Sequence, residues 1–303
     1  MARHTVLARA RYGQDCFIDV AGHTLHYVEI GSGEPVLLIP GSFSTYRAWD
    51  RLIPFLRDRY RLLALDYLGT GDSDKPQSGF RYTVEEQSDL IARMIPQLGL
   101  ERVHLVGGSY GGAIVLNLAA RYPERIHKVV SIEGGIVAPA EMPADPLTPL
   151  LRSPVLGNLL IALIRTGLLT PLVIRLVAGQ WYGEMTPEDH RAMREELSFN
   201  ARCANRLVWY SVGMAAHTSR DFTAEARTLR APVLYLYGER TDFAAMVTAN
   251  LRFFQSYLPH VRAVEVTGGG HDLAFQQPAR TAELILDFIR QDPSPDSRAQ
   301  EKP

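Results

Sequence analysis

Residues 103–112 read Val-His-Leu-Val-Gly-Gly-Ser-Tyr-Gly-Gly, and this stretch decides the fold. An apolar, β-prone run at 103–106 leads into the glycines, and an apolar helical pattern begins at Ala113. Ser109 is therefore expected at the apex of a sharp strand–turn–helix, the context that makes a Gly-x-Ser-x-Gly serine a candidate nucleophile. Gly107 and Gly111 lie where a Cβ atom would collide with a neighbouring strand or helix. The following helix would direct N–H groups and its positive dipole end at an oxyanion beside the serine.

The composition limits the class of protein. The chain has 303 residues, of which 46% are hydrophobic and 21% charged, which is typical of a globular protein that buries a sizeable core. The formal net charge of −1 gives no global basic field for nucleic acid or anionic lipid. Cys16 and Cys203 are far apart and are predicted to be free buried thiols in a reducing compartment. Residues 1–30 lack an apolar signal-peptide core, so a cytoplasmic location is expected.

Strands and helices are predicted to alternate along most of the chain. Residues 17–20 and 24–30 have the pattern of a β-hairpin, and several continuous apolar runs are typical of strands buried on both faces. Those runs are 35–39, 61–66, 103–106, 128–132, 232–237 and 262–266. Helical patterns cover 49–56, 113–121, 247–257 and 279–289, and a capping box at Thr83 and Glu86 opens another helix towards Leu98. The fold class is therefore α/β, with a mostly parallel sheet covered by helices on both faces.

One interval interrupts this alternation. Residues 138–226 contain no clear β run and are rich in leucine and isoleucine, notably at 155–164 and 168–177. Because the strand pattern resumes at Pro232, we predict an inserted helical cap at 138–226 between two parts of one core, 1–137 and 227–291, with a disordered tail at 292–303. Arg165, Arg175 and Pro171 interrupt the apolar runs, which argues against an integral membrane span. A lid over a pocket is favoured, and peripheral contact with lipid stays open.

A serine nucleophile needs a base and an acid that orients the base. His271 lies in Gly-Gly-Gly-His-Asp directly after the last predicted strand, where we expect a flexible glycine loop that lets the histidine reach Ser109. Two carboxylates compete as the acid: Asp242, in the loop after strand 232–237, and Glu133, at the end of strand 128–132. An oxyanion hole also needs two N–H donors, for which we expect Tyr110 and Ser42, with Phe43 as the alternate to Ser42.

These motifs together resemble the α/β-hydrolase superfamily, in the branch with a serine nucleophile and a helical cap. The resemblance extends over residues 16–290 and depends on 40–43, 66–73, 107–111, 238–242 and 270–271. The family's chain order Ser, Asp, His favours Asp242, whereas some related dehalogenases place the acid where Glu133 stands. The resemblance implies a structural role for the loop 66–73. One departure is Pro40-Gly41, where the family usually has His-Gly.

The resemblance also implies a function. Related haloalkane dehalogenases and epoxide hydrolases use an aspartate nucleophile, so Ser109 argues against both activities. We predict a serine hydrolase that cleaves a carboxylic ester with a hydrophobic acyl or alcohol group, without metal or organic cofactor. Lactone, amide and carbon–carbon bond hydrolysis remain open, as does a non-catalytic ligand receptor. The predicted partner is a small hydrophobic ester-like substrate, not nucleic acid, and the sequence leaves the oligomeric state open.

Overall fold

A central eight-stranded sheet organises the molecule. The computed structural model describes residues 10–136, 148–217 and 221–291. The strands are β1 (Gln14–Val20), β2 (His23–Ile30), β3 (Glu34–Ile39), β4 (Tyr60–Asp66), β5 (Val103–Gly108), β6 (Ile126–Ile132), β7 (Val233–Gly238) and β8 (Arg262–Val266). Their spatial order is β1-β2-β4-β3-β5-β6-β7-β8. The hairpin β1–β2 and the pair β2–β4 are antiparallel, and the remaining pairs are parallel, which confirms the predicted sheet.

Helices cover both faces of this sheet. They are α1 (Ile53–Leu56), α2 (Val84–Gln97), α3 (Tyr110–Arg121), α4 (Thr148–Arg152), α5 (Pro154–Arg165), α6 (Thr170–Ala178), α7 (Pro187–Cys203), α8 (Arg206–His217), α9 (Thr223–Ala226), α10 (Ala244–Tyr257), α11 (Leu273–Gln276) and α12 (Pro278–Arg290). Side chains of β3 alternate between two large hydrophobic clusters, Leu37 and Ile39 on one face and Val36 and Leu38 on the other. This two-sided burial explains why the parallel strands are continuous apolar runs.

Three local expectations differ from the structure. The helix predicted at 49–56 is divided into a 3-10 turn, Tyr46–Trp49, and α1, because Pro54 fits only the first turn of a helix. Only half of the capping box forms: Thr83 Oγ1 accepts from the Glu86 N–H, but the Glu86 carboxylate accepts hydrogen bonds from Arg81 instead. Both cysteines are free, but only Cys203 is buried, since Cys16 is partly exposed on the edge strand β1.

The regular elements described between β6 and β7 are all helical. We call residues 148–217 the helical insertion; it comprises α4 to α8 and a 3-10 turn, Gly179–Glu184. Helix α9 follows it and packs against α3 beside the sheet. Residues 137–147 and 218–220 lie outside the described residues, so the cap boundaries at 138 and 226 stay predictions. The tail at 292–303 also lies outside them.

The apolar helices of the insertion bear on the question of a membrane span. Among the described residues, no single helix has the length and apolar character needed to cross a membrane. The two segments Pro154–Arg165 and Thr170–Glu184 meet that criterion only as a pair, and they are bent by 94° relative to each other.

Candidate active site

Ser109 occupies a strained position between β5 and α3. Its φ and ψ are 51° and −117°, outside the regions that L-residues prefer. The strain is held by backbone contacts, because the Ser109 N–H donates to the Ile132 carbonyl at 2.8 Å and its own carbonyl accepts from Ala113. The turn therefore presents the serine side chain at the carboxyl end of β5, as predicted.

The two flanking glycines are required by close backbone contacts. A Cβ atom on Gly107 would lie 2.3 Å from the Gly111 carbonyl oxygen, and one on Gly111 would lie 2.2 Å from that of Ile39. These contacts are with the backbone of α3 and β3, which cannot move as a side chain does. The tight turn thus explains the glycines at both positions.

His271 follows β8 on a loop that is firmly hydrogen-bonded, contrary to the expectation of a flexible glycine loop. The Gly269 carbonyl accepts from the Arg240 N–H at 2.8 Å, and the Gly270 N–H donates to the Gln276 side chain at 2.6 Å. A Cβ atom on Gly238 would lie 2.4 Å from the carbonyl oxygens of both glycines, so the loop lies directly on the end of β7. Here the glycines permit close approach of two backbones.

Glu133 is the carboxylate that contacts His271. Its Oε2 atom lies 2.5 Å from His271 Nδ1, and the Glu133 side chain is fully buried while that of His271 is 22% exposed. Oε1 accepts from the Gly238 N–H at 2.8 Å, and Oε2 also accepts from the Thr241 hydroxyl at 2.7 Å. Glu133 itself has a φ of 47°, which turns the chain just after β6. Three donors compensate the burial of this charge.

The favoured assignment of Asp242 as the acid beside His271 does not match this geometry. Among the hydrogen bonds of the described residues, none joins Asp242 to His271. Asp242 is exposed, and its Oδ1 accepts from Gln180 in the helical insertion at 3.2 Å. The loop after β7 instead turns Thr241 inward, onto Glu133. The alternate acid, Glu133, thus takes the place expected for Asp242.

Opposing effects act on the protonation of His271. Burial lowers the pKa of the imidazole, but the hydrogen bond and negative charge of Glu133 outweigh burial and raise the pKa overall. The charges of Asp272 and Asp242 add to this increase. Because Nδ1 is held by Glu133, the nitrogen left to face another group is Nε2.

The predicted oxyanion loop lies beside Ser109. A Cβ atom on Gly41 would be 3.4 Å from the Ser109 Cβ, and the Tyr67 hydroxyl donates to the Gly41 carbonyl at 3.1 Å. Phe43 has a φ of 61° and forms a backbone hydrogen bond with the Tyr67 hydroxyl. Within the described part of the chain, the N–H of Ser42 donates to no acceptor. This arrangement favours Ser42 over Phe43 as a donor to a bound group.

A cavity of about 1010 Å³ joins these residues. Ser109, His271, Ser42 and Tyr110 all line it, as does Asp242. The helical insertion contributes mainly apolar walls, from Leu160, Ile164, Leu172, Val173, Leu176, Val177, Leu197 and Trp209. A large, mostly apolar cavity with a few polar groups is typical of a binding site for a lipophilic small molecule.

The structure also identifies residues that the sequence reasoning missed. Thr241 supports Glu133, and the Phe243 ring packs on His271 with 4.3 Å between ring centroids. Glu196 of α7 reaches the cavity and accepts a hydrogen bond from Ser44 at 2.8 Å; burial, followed by the charge of Asp272, raises the pKa of Glu196 to about 7. The motif 238–242 indicated the region of Thr241, but no pattern in the sequence indicated Glu196.

The loop 66–73 supports the site from a distance. The buried Asp66 accepts hydrogen bonds from the N–H groups of Tyr46 and Asp72, at 2.8 and 3.0 Å, and its Oδ2 lies 2.7 Å from His26 Nδ1. A Cβ atom on Gly71 would overlap the Asp66 carboxylate. These contacts fit a structural role. In residues 10–136, 148–217 and 221–291, no group of three histidine, cysteine or acidic side chains could hold a metal ion.

Comparison with known proteins defines the family. The model of the α/β-hydrolase fold family matches residues 34–278, which include the serine turn, the histidine loop and both candidate acids. The chain therefore belongs to the α/β-hydrolase family.

Individual relatives differ in their chemistry. A cis-3-alkyl-4-alkyloxetan-2-one decarboxylase of Shewanella oneidensis is 34% identical over 148 residues, 48% of this chain and 46% of the relative, so the chain spans about half the length of that curated protein. A 2-(acetamidomethylene)succinate hydrolase of Mesorhizobium japonicum is 28% identical over 278 residues, 90% of this chain and 94% of the relative. The crystal structure of the enol-lactonase from Burkholderia xenovorans LB400 has a TM-score of 0.74 at 20% identity, covering 91% of this chain and 100% of that one, and shows the same fold.

Proposed function

We propose that the protein is a serine hydrolase that cleaves carboxylic esters through an acyl-enzyme on Ser109. The observation that carries this proposal is the arrangement around His271. Its Nδ1 is held by the buried Glu133, and its ring lines the same cavity as the strained Ser109. A hydroxyl, an imidazole and a carboxylate in these roles form the triad of acyl-transfer enzymes.

The reaction would proceed in two halves. His271 Nε2 takes the proton of the Ser109 hydroxyl while Oγ attacks the ester carbonyl, and the same proton then passes to the departing alcohol. A water molecule, deprotonated by His271, next attacks the acyl-enzyme; the bond to Ser109 Oγ breaks, His271 returns the proton to Oγ, and the carboxylic acid is released. Glu133 keeps the proton of Nδ1 in place and stabilises the imidazolium that forms in each half.

The oxyanion of each tetrahedral intermediate needs donors that are already in place. We propose the N–H groups of Ser42 and Tyr110, because Ser42 follows Gly41, which packs on Ser109, and Tyr110 is the first residue of α3. The N-terminal end of α3 adds its positive dipole at the same point. Backbone donors that are fixed need no reorganisation during the reaction. The Tyr67 hydroxyl helps to fix Ser42, because it donates to the carbonyl of the preceding residue, Gly41.

The cavity walls support a hydrophobic acyl or alcohol group. Leucine, isoleucine and valine side chains of α5 and α6 form most of the apolar wall that the helical insertion contributes to the cavity. Such a wall binds an alkyl or aryl group in proportion to the apolar area that it removes from water. We therefore propose substrates with a medium-length or long hydrocarbon group rather than short polar esters.

Cyclic esters form a second candidate class. Two matched proteins, the oxetan-2-one decarboxylase and the enol-lactonase, have names that refer to a lactone. A lactone carbonyl would be attacked by Ser109 in the same way, and the alkoxide would remain joined to the acyl group. Amide or carbon–carbon bond cleavage by the same residues ranks behind both ester classes.

A substrate panel tests the proposal. Wild-type protein is assayed with p-nitrophenyl esters of two to twelve carbons and with γ- and δ-lactones, with Ser109→Ala as the matched control. We expect kcat/KM to increase with chain length, and Ser109→Ala to lose at least about 10³-fold. The proposal fails if wild-type and Ser109→Ala proteins are equally inactive on esters, lactones and amides.

Covalent labelling separates an enzyme from a non-catalytic receptor on the same fold. A fluorophosphonate should modify wild-type protein at Ser109, detected by mass spectrometry, because His271 activates that hydroxyl. Ser109→Ala should stay unmodified. Tight ligand binding without labelling of Ser109 would instead favour a receptor.

A further inference from the structure

Exposed apolar side chains are concentrated on one part of the helical insertion. Val155, Leu156, Leu159 and Leu168 belong to α5 and the turn after it, and Val155 and Leu168 are 74% and 72% exposed. Leu172, Leu176 and Val177 continue the exposed set on α6. We call these seven residues the insertion surface. Exposed apolar patches of this kind on a protein surface are unusual outside interaction sites.

The charge of the same segment is one-sided. Residues 148–183 contain three arginines, Arg152, Arg165 and Arg175, and no aspartate or glutamate. All three arginines are exposed. The near-neutral chain thus carries a local positive excess on its most apolar exposed region. Segments that bind at the surface of anionic bilayers have this composition, in which leucine and valine stand beside arginine and acidic residues are absent.

The insertion surface is continuous with the cavity. Leu172, Leu176 and Val177 are more than half exposed and also line the cavity that holds Ser109. Arg175 lies at the same rim. A molecule that leaves a bilayer at this surface would therefore pass from hydrocarbon onto apolar side chains and into the cavity.

We propose that the insertion surface docks onto an anionic lipid bilayer, so that the cavity opens towards the membrane. The substrate class that follows, an ester dissolved in the lipid phase, depends on the proposed hydrolase function, whereas the docking itself does not. A second copy of the chain is disfavoured, because apposition of two copies would bring like charges together.

Vesicle flotation tests the docking without any catalytic readout. Full-length protein is mixed with vesicles of phosphatidylcholine alone or with 30% phosphatidylglycerol added, at low salt and at 0.5 M NaCl. We expect binding to the anionic vesicles, loss of that binding at high salt, and partitioning at least tenfold lower for the double variant Leu159→Asp/Leu168→Asp. Arg152→Gln should weaken partitioning about fivefold.

The control variants lie outside the helical insertion, on α1 and α10. Phe55→Asp and Tyr257→Asp remove exposed apolar side chains of α1 and α10 and should leave vesicle binding unchanged. Hydrolysis of a water-soluble short ester should be the same in Leu159→Asp/Leu168→Asp and wild type, because neither leucine lines the cavity. Vesicle binding by a protein inactive on every ester would leave the docking standing and remove the hydrolase proposal.

Two outcomes overturn the docking. The first is equal flotation of wild type and Leu159→Asp/Leu168→Asp. The second is absence of flotation together with a concentration-dependent dimer in sedimentation velocity that the double variant abolishes, which would assign the insertion surface to a second copy of the chain.

Discussion

The described residues outside the helical insertion, 10–136 and 221–291, form the sheet region. The sheet region and the helical insertion bury their apolar side chains to very different extents. Ten of the thirteen large hydrophobic side chains exposed in the described part of the chain belong to the insertion, although it is much the smaller region. Two large clusters fill the faces of the sheet, and five buried residues of α7 and α8 join them. The other clusters of the insertion are small, with three buried residues each, and one of them includes Phe275 of α11. The sheet region is thus built to hold positions fixed, and the insertion offers apolar surface.

Polar and apolar contacts join the two regions. Glu196, Asn200 and Asp189 of α7 contact Ser44, Thr45 and Arg51 of the sheet region, and Glu184 pairs with Arg240. These polar links are mostly partly exposed. Apolar contacts accompany them, with the Phe199 ring beside Tyr46 and the Trp209 ring beside Phe43. The proposed catalytic groups Ser109, His271 and Glu133 all come from the sheet region, and the insertion supplies cavity wall.

The largest expected effect distinguishes the two candidate acids, which both come from the sheet region, by the group that each one contacts. Glu133→Gln keeps the shape of the side chain but removes the charge that holds Nδ1–H and stabilises the imidazolium. We expect kcat to fall by about 10³–10⁴-fold. Asp242→Asn, whose carboxylate faces Gln180 of the insertion, should cost less than about tenfold. Ester hydrolysis under saturating substrate measures both.

Circular dichroism and thermal unfolding of both variants provide the control for folding. Should Asp242→Asn abolish acylation while Glu133→Gln retains it, the contact between Glu133 and His271 would be structural, and the assignment of the acid by geometry would be wrong.

Sequence patterns predicted the parts of the site that depend on local backbone constraints. The Gly-x-Ser-x-Gly turn requires close backbone approach at both glycines, and that requirement is visible as residue type. The choice between Glu133 and Asp242 has no such local signature. Strands β6 and β7 are parallel neighbours about 4.8 Å apart, so acids after either strand reach the same edge of the sheet. The order Ser, Asp, His along the chain favoured Asp242. The backbone turn at Glu133, with its φ of 47°, instead brings the Glu133 carboxylate to His271.

Other differences arise from competition between nearby groups. Glu86 had the spacing of a capping box, but Arg81 lies close enough to take its carboxylate. The run 268–270 suggested flexibility by composition, yet its glycines serve close packing on β7. Glu196 could not be identified because its environment is assembled from α7 and the loop after β3, which are about 150 residues apart in sequence.

The second prediction compares packing in the two regions. Ile114 of α3 is fully buried beneath the sheet, so Ile114→Ala should lower the free energy of unfolding by about 3 kcal/mol through lost transfer energy and the cavity that remains. Leu159→Ala on the insertion surface should change it by less than about 0.5 kcal/mol. Urea denaturation followed by fluorescence measures both. Similar losses for the two variants would mean that Leu159 is covered in solution.

The third prediction concerns the acid limb of activity. His271 accepts a proton only when neutral, and Glu133 raises the pKa of His271 above its ordinary value of about 6.5. kcat/KM should therefore fall about tenfold per pH unit on the acid side of a pKa above 6.5. Asp242→Asn removes a charge that raises this pKa, so the limb should move slightly to lower pH. If the acid limb of kcat/KM in Asp242→Asn stays in place or moves to higher pH, then the charge of Asp242 does not raise the pKa of His271.

The smallest effect is expected where the two regions meet, at Glu196. Burial raises the pKa of Glu196 to about 7, against an ordinary value of 4.5, so the folded protein binds this proton more tightly than the unfolded chain. The resulting stabilisation is fully present below pH 4.5 and is lost as the pH rises through about 7. Glu196→Gln stays neutral and can still accept the Ser44 hydrogen bond. Relative to wild type, its free energy of unfolding should therefore increase by roughly 1 kcal/mol from pH 5 to pH 8, a reduced value because the side chain is partly exposed. Glu195→Gln, an exposed neighbour on α7, should show no such increase in urea denaturation at the two pH values. An equal difference at both pH values for Glu196→Gln would mean that water reaches this carboxylate freely and that the insertion opens in solution.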